Sequence, residues 1–121
     1  MDVARGRRRA AEPLLKESLV ASAETGSKES IAFTFETLAV VHVNAGDPAD
    51  AALLLGAAGE LEAELGLTLD EPEAGMHVEA VAAARAALGS ELDELWRRGR
   101  GLGLERALAF ASEISISNSS D

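Results

Sequence analysis

His42 and His77 are the chain's two histidines, and theirs are the only side chains that titrate near neutral pH unaided. They fall in separate segments, and neither has a second ligand at metal-binding spacing. No metal site is expected. His42 reads as a buried packing residue and His77 as an exposed one. Carboxylates are plentiful: Glu60, Glu62, Glu64, Asp70, Glu71, Glu73, and then Glu91, Asp93 and Glu94. Paired carboxylates do acid–base work only in a pocket that drives their pKa values apart. Here their spacing puts them on polar helix faces and caps, so solvation is the expectation. None of the serines sits in a GxSxG elbow with evident histidine and aspartate partners. There is no GxxxxGK[ST] phosphate loop. Arg98-Gly99-Arg100-Gly101-Leu102-Gly103 departs from GxGxxG and follows no strand, so it reads as a flexible turn between helices. Asn118-Ser119-Ser120 matches a glycosylation triplet, which means nothing without secretion. These readings leave no catalytic residue, no cofactor and no metal; the chain is expected not to be an enzyme.

The elements that carry these residues are helical by composition. Of 121 residues 47% are hydrophobic but only 3% aromatic, with alanine and leucine supplying the bulk. Closely packed helices suit that mixture; a sheet would want valine, isoleucine and aromatics. Cysteine is absent, which excludes disulfides and thiolate zinc sites and is compatible with a reducing cytoplasm. A net charge of −10 repels nucleic acid in bulk. Two basic clusters stand against it, Arg5, Arg7, Arg8 and Arg9, then Arg97, Arg98 and Arg100. The first has no interleaved aromatic to stack on a base. Both read as solvated helix faces or ends, and direct nucleic-acid binding is not expected. No apolar run approaches the ~20 residues that span a bilayer. The basic start lacks a following apolar core, so it does not read as a secretory signal. A cytoplasmic location is expected.

Apolar spacing predicts a first helix from about Ala4 to Glu24, with Leu15, Leu19 and Ala23 on one face. Pro13 either kinks it or marks a start near Glu12. Ser27 caps a second helix running to about Asn44, striped by Ile31, Phe35, Leu38, Ala39 and His42. Asn44-Ala45-Gly46-Asp47-Pro48 is the strongest turn signal: Gly46 suits a C-cap, Asp47 an N-cap and Pro48 the first helical position. The link is so short that the flanking helices must lie antiparallel. The third helix, Pro48 to about Leu65, contains two interior glycines, Gly56 and Gly59, each costing ~1 kcal/mol relative to alanine. A fourth helix follows Glu71-Pro72 and ends at Leu88-Gly89. Ser90, with Asp93 three residues on, reads as a capping box for a short fifth helix that Arg97-Arg98-Gly99 closes. A sixth runs from about Leu104 to Ser112. The remaining tail is Ser-rich and reads as flexible; its Ile114 and Ile116 alternate with serines, which leaves a short strand open.

Ala11, Leu15 and Ser18 stand 40 residues before Ala51, Leu55 and Ala58. Small residues at Ala39, Ala51 and Ala58 allow close helix approach, while Leu38, His42 and Leu55 fill the space around them. This pattern resembles a tetratricopeptide repeat, with His42 where the family usually has tyrosine and Leu55 where it often has phenylalanine. A second resemblance lies further on. Leu55-Gly56-Ala57-Ala58, Pro72, Leu88-Gly89, Trp96, Gly99 and Leu104-Glu105-Arg106-Ala107 are similar to the C-terminal repeat region of large bacterial multidomain transcriptional regulators, the LuxR-like and ATPase-type activators.

The expected fold is all-α: a tetratricopeptide-like solenoid of antiparallel helix hairpins with a three-helix cap. Residues 1–26 form a partial repeat, 27–66 a full helix pair, 70–112 the cap and 113–121 a flexible tail, the whole being one domain. Ala39, His42, Ala51, Leu55, Gly56, Ala58 and Trp96 are the expected packing residues, and Leu92, Leu95 and Leu108 join Trp96 in seating the cap. Gly56 and Gly59 then read as an internal seam, approached by neighbours from more than one side. The resemblance implies a non-enzymatic protein-interaction or scaffold module, the effector or sensor region of a regulator. Its partner is a protein segment or a second copy of the chain, as in a homodimer. The alternative is a small-molecule sensor with a pocket between repeats and cap.

Overall fold

Three consecutive helices end in the same way, and this sets the frame. The chain leaves the first through Gly26, the second through Gly46 and the third through Gly66. In each case the next amide reaches back to a carbonyl five residues earlier: Ser27 to Ser22 at 2.9 Å, Asp47 to His42 at 2.8 Å and Leu67 to Glu62 at 2.8 Å. These are Schellman ends. Gly66, at φ 68°, shows why glycine is used there: a side chain would strain that left-handed backbone.

The computed structural model describes residues 3–68 and 73–113, with side chains for 12–68 and 74–113. Its six helices are α1 (Val3–Thr25), α2 (Lys28–Asn44), α3 (Pro48–Leu65), α4 (Glu73–Leu88), α5 (Glu91–Arg100) and α6 (Leu104–Glu113). The protein is all-α, and no strand occurs among the described residues. α1 runs unbroken through Pro13. Leu19 on α1 is buried and Leu15 half-buried, but Ala23, expected on the same face, is exposed. Ser27 caps α2 as expected, its hydroxyl accepting from the Ser30 amide. Ser90 does not cap α5: its backbone is already helical and its side chain makes no capping bond. Asp93 turns away from that role and pairs with Arg85 on α4 at 3.0 Å. The Asp70–Pro72 loop, the tail from Ile114 with its strand alternative and glycosylation triplet, and the side chains of Arg5 to Arg9 lie outside the described residues.

α3 is the hub. It packs against α2, α4, α5 and α6, while α1 lies on α2, and α6 reaches back to α1. The main core joins Leu19, Ile31, Phe35, Leu38, Leu54, Leu55 and Leu61 to Ala107 and Ala111 of α6. A smaller cluster of Ala52, Ala84 and Leu92 ties α3 and α4 to α5, with Leu95 and Trp96 packed on it. α3 and α5 cross with backbones in contact. A Cβ at Gly56 would collide with the Trp96 carbonyl oxygen, and one at Gly99 with the Leu53 carbonyl oxygen. Gly99 therefore lies inside α5 and is buried; the expected end of that helix at Arg97-Arg98-Gly99, and the flexible turn read from residue 98 onward, are both displaced to Gly101. Packing, not turn formation, is why residue 99 is glycine. Gly59 is different, since a Cβ there would meet only the Trp96 ring at 3.9 Å, an ordinary contact.

Candidate functional site

The residues selected as packing positions occupy the interior. Ala39, His42, Ala51, Leu55 and Ala58 have no exposed surface. Gly56 is buried under α5, and Trp96 is half-buried beside it. His42 is a junction of three segments. Its Nε2 lies 3.2 Å from Glu12 Oε2 on α1, and its Nδ1 lies 3.8 Å from Asp47 Oδ2 ahead of α3. Both are close polar contacts without hydrogen-bond alignment.

A different set of residues forms a cleft of about 260 Å³ between α2, α3 and the start of α4. Phe33, Val40 and Met76 contribute apolar wall; Glu36, Glu62 and His77 converge on it. Each comes from a separate helix. On α2, Glu36 follows the buried Phe35 and stands four residues after buried Ala32, so the helix turns it inward; it is 6% exposed. On α3, Glu62 stands four residues after Ala58, on the edge of the buried stripe. On α4, His77 is half-buried and its Nδ1 donates to Glu36 Oε1 at 2.8 Å. The His77 ring meets the Trp96 indole edge-on, with centroids 6.0 Å apart and planes at 89°.

The electrostatics bind the three groups together. Glu36 Oε2 and Glu62 Oε2 are both buried, and as carboxylates neither has a donor. A buried acceptor left so costs about 1–3 kcal/mol, and a proton held between the two carboxyls removes the deficit. Burial first, then the hydrogen bond and charge of Glu36, push Glu62 up to about 8. The Glu36 hydrogen bond likewise raises His77, against the opposing effect of burial. At neutral pH Glu62 is thus a protonated acid beside the Glu36 carboxyl. The expectation that Glu62 is solvated on a polar face and that His77 is simply exposed is corrected: desolvation and mutual contact govern both.

This has a consequence for stability. The folded state holds the Glu62 proton more tightly than the unfolded chain, where glutamate titrates near 4.5. The resulting stabilisation is complete below that pH and is lost as pH rises through about 8. His77 acts in the same direction, its share being whole below 6.5 and fading above it. Glu62 is only partly buried, so solvent screening reduces the effect to about 1–2 kcal/mol. Glu62→Gln keeps a donor for Glu36 but cannot ionise. Urea denaturation should find it about 1–2 kcal/mol more stable than the parent at pH 9 and no more stable at pH 5. An equal difference at the two pH values would remove the shared proton from the account.

Glu60, Glu64, Glu91, Asp93 and Glu94 are exposed, as their sequence positions imply. Lys28 pairs with Glu64, Arg98 with Glu94 and Arg100 with Glu60, all on exposed surface where such pairs add little. Among the described residues no group of three or more His, Asp or Glu side chains is placed to hold a metal ion. No described helix is long and apolar enough to cross a membrane. No family model, curated protein or solved structure matches this chain.

Proposed function

We propose that this protein is a non-enzymatic sensor module of a bacterial transcriptional regulator or signalling protein, and that a small molecule occupies the cleft between α2, α3 and α4. The observation that carries this reading is the cleft itself: an apolar wall, with three polar side chains from three helices converging on it. Small-molecule sites are built in that way. A flat protein-docking surface has no use for a buried acid pair, whose desolvation must be offset. The cleft lies between α2, α3 and the start of α4, which in a tetratricopeptide-like arrangement are the full helix pair and the first helix of the C-terminal cap. Packing of α1 on α2 and α2 on α3 supports that arrangement. The resemblance to the repeat region of regulators supplies the bacterial, cytoplasmic and signalling setting of the proposal.

An amide-resolved NMR screen of mixed small fragments tests it. Binders should shift resonances of residues 32–40, 62–68 and 76–77 together. A screen in which no fragment moves that set would end the small-molecule reading.

Self-association is the second reading, and a specific observation favours it: Leu14 and Val20 on α1 are 65% and 51% exposed. Light scattering at increasing concentration should then report a mass above that of one chain, and Leu14→Glu should restore the single-chain mass.

A further inference from the structure

We propose that the cleft binds a primary ammonium group carried on a small apolar body, the ammonium lying between Glu36 and Glu62. This rests on the cleft being the recognition site and goes beyond it by assigning the ligand's charge and shape.

The charged and titratable groups facing the cleft from the described residues are Glu29 and Glu36 on α2, Glu62 on α3 and His77 on α4. Among the described residues no lysine or arginine lines it. The imidazole is already committed to Glu36 Oε1 at 2.8 Å, so an anionic ligand would face carboxyls with no free cation to receive it. The remaining polar side chains on its edge are the hydroxyls of Thr37 and Thr68. Thr37 spends its hydroxyl proton on the Phe33 carbonyl at 2.9 Å and offers only lone pairs to the cleft. The Glu36 side chain is 8% exposed, and its Oε2 and Glu62 Oε2 are buried acceptors with only the Glu62 proton between them. A ligand that fits must bring donors and positive charge. An ammonium has three donors and no acceptor. Two can meet the carboxyl oxygens and the third Thr37.

The geometry also selects among cations. A guanidinium prefers the two oxygens of one carboxylate in a fork. Glu36 cannot offer that fork, because one oxygen belongs to His77. Two single oxygens from opposing helices suit a compact point charge. A metal ion is disfavoured, since no described trio of ligands is arranged for one. The body must be apolar, because Phe33, Val40 and Met76 form the wall, and Phe33 is 43% exposed in the free protein. It must also be small, because about 260 Å³ lies just below the range of about 300–1,000 Å³ found for larger ligands.

The ammonium takes the place of a proton. Glu62 holds that proton at neutral pH, with burial and Glu36 raising its affinity for it. Binding near pH 7 therefore releases close to one proton, and binding at pH 9 releases few.

Calorimetry on the full chain, with 2-phenylethylamine, 2-phenylethanol and phenylacetate as probes, tests the proposal. The amine should bind at least tenfold more tightly than the alcohol, and phenylacetate should not bind. Titrations at pH 7 in buffers of different ionisation enthalpy should report close to one proton released per amine, and far less at pH 9. Glu62→Gln should weaken the amine at least tenfold and the alcohol far less. Equal affinity for amine and alcohol, or amine binding without proton release, would overturn the ammonium assignment while leaving the cleft as a recognition site. Failure of any probe, and of the fragment screen, to shift the cleft resonances would remove the site itself. The proton count is read on the unaltered chain, so it decides the matter even where the variant folds poorly.

Discussion

Gly56→Ala should destabilise the protein by about 3 kcal/mol or more, while Gly59→Ala, one turn away on the same helix, should stabilise it. Both substitutions make α3 a better helix, by up to ~1 kcal/mol each. They differ in what the new methyl meets. At position 56 it would collide with the Trp96 carbonyl oxygen and come within 3.0 Å of the Arg100 amide nitrogen. These are backbone atoms in a helix and cannot step aside singly. α5 must move as a body, taking Leu92 and Trp96 away from Ala52 and Ala84. At position 59 the methyl would rest on the Trp96 ring at 3.9 Å, an ordinary contact that adds burial. Gly99→Ala approaches the Leu53 carbonyl from the other side of the same crossing and should match Gly56→Ala in cost. Leucine at 56 should be worse still, and worse than leucine at the exposed Glu60. Thermal melts of the alanine variants check the contrast: if Gly56→Ala and Gly59→Ala melt alike, α3 and α5 are not in backbone contact.

His42→Leu comes next, with an expected loss of about 2–3 kcal/mol. The volume is nearly kept, so the cost is polar. The imidazole is fully buried, and its removal takes from Glu12, itself 7% exposed, the nitrogen at 3.2 Å. It also ends the 3.8 Å contact to Asp47 at the turn into α3. Since Glu12 belongs to α1, the docking of α1 on α2 should weaken first. Replacing both partners of a buried polar pair by apolar groups of similar shape is often close to neutral. Glu12→Leu combined with His42→Leu should therefore recover part of the loss, since it also gives up the Lys16–Glu12 pair at 3.4 Å. Urea midpoints for the two single variants and the double variant complete the cycle. A double variant that simply adds the two single losses would show that the contact carries no energy.

How much of this was visible in the residues depends on the range of the interaction. The α2–α3 turn was legible because its signal is local: Gly46 and Pro48 each favour one backbone geometry, although Asp47 between them makes no side-chain capping bond to α3. The seam at Gly56 was legible because an unforced glycine in a helix interior asks for an explanation. Its counterpart was not. Gly99 looked like a helix end because two arginines precede it and glycines alternate after it, and only the third dimension sets it against Leu53. Gly59 was over-read for the opposite reason, being assigned a close approach that its surroundings do not impose. The residues that line the cleft were missed. Glu60, Glu62 and Glu64 alternate like a solvated edge, although Glu62 stands four residues after the buried Ala58 and shares its side of the helix. Glu36 carried a clearer sign, lying between buried Phe35 and half-buried Thr37 in the middle of an apolar helix. That His77 would close on Glu36, 41 residues away, follows from the packing of α4 on α2, which no local pattern encodes.

The return of α6 to α1 bears on how the molecule comes apart. In a linear stack of helix pairs each unit touches only its neighbours, and such arrays can fray from either end one unit at a time. Here the last helix touches both the first and the third, and Ala107 and Ala111 share a core with Leu19. Peeling α1 away uncovers α6, and lifting α6 uncovers α1, so neither terminus is an independent place to begin. α1 and α6 are latched to each other across the hub helix, and melting is expected to be all-or-none despite the serial, hairpin-by-hairpin look of the chain.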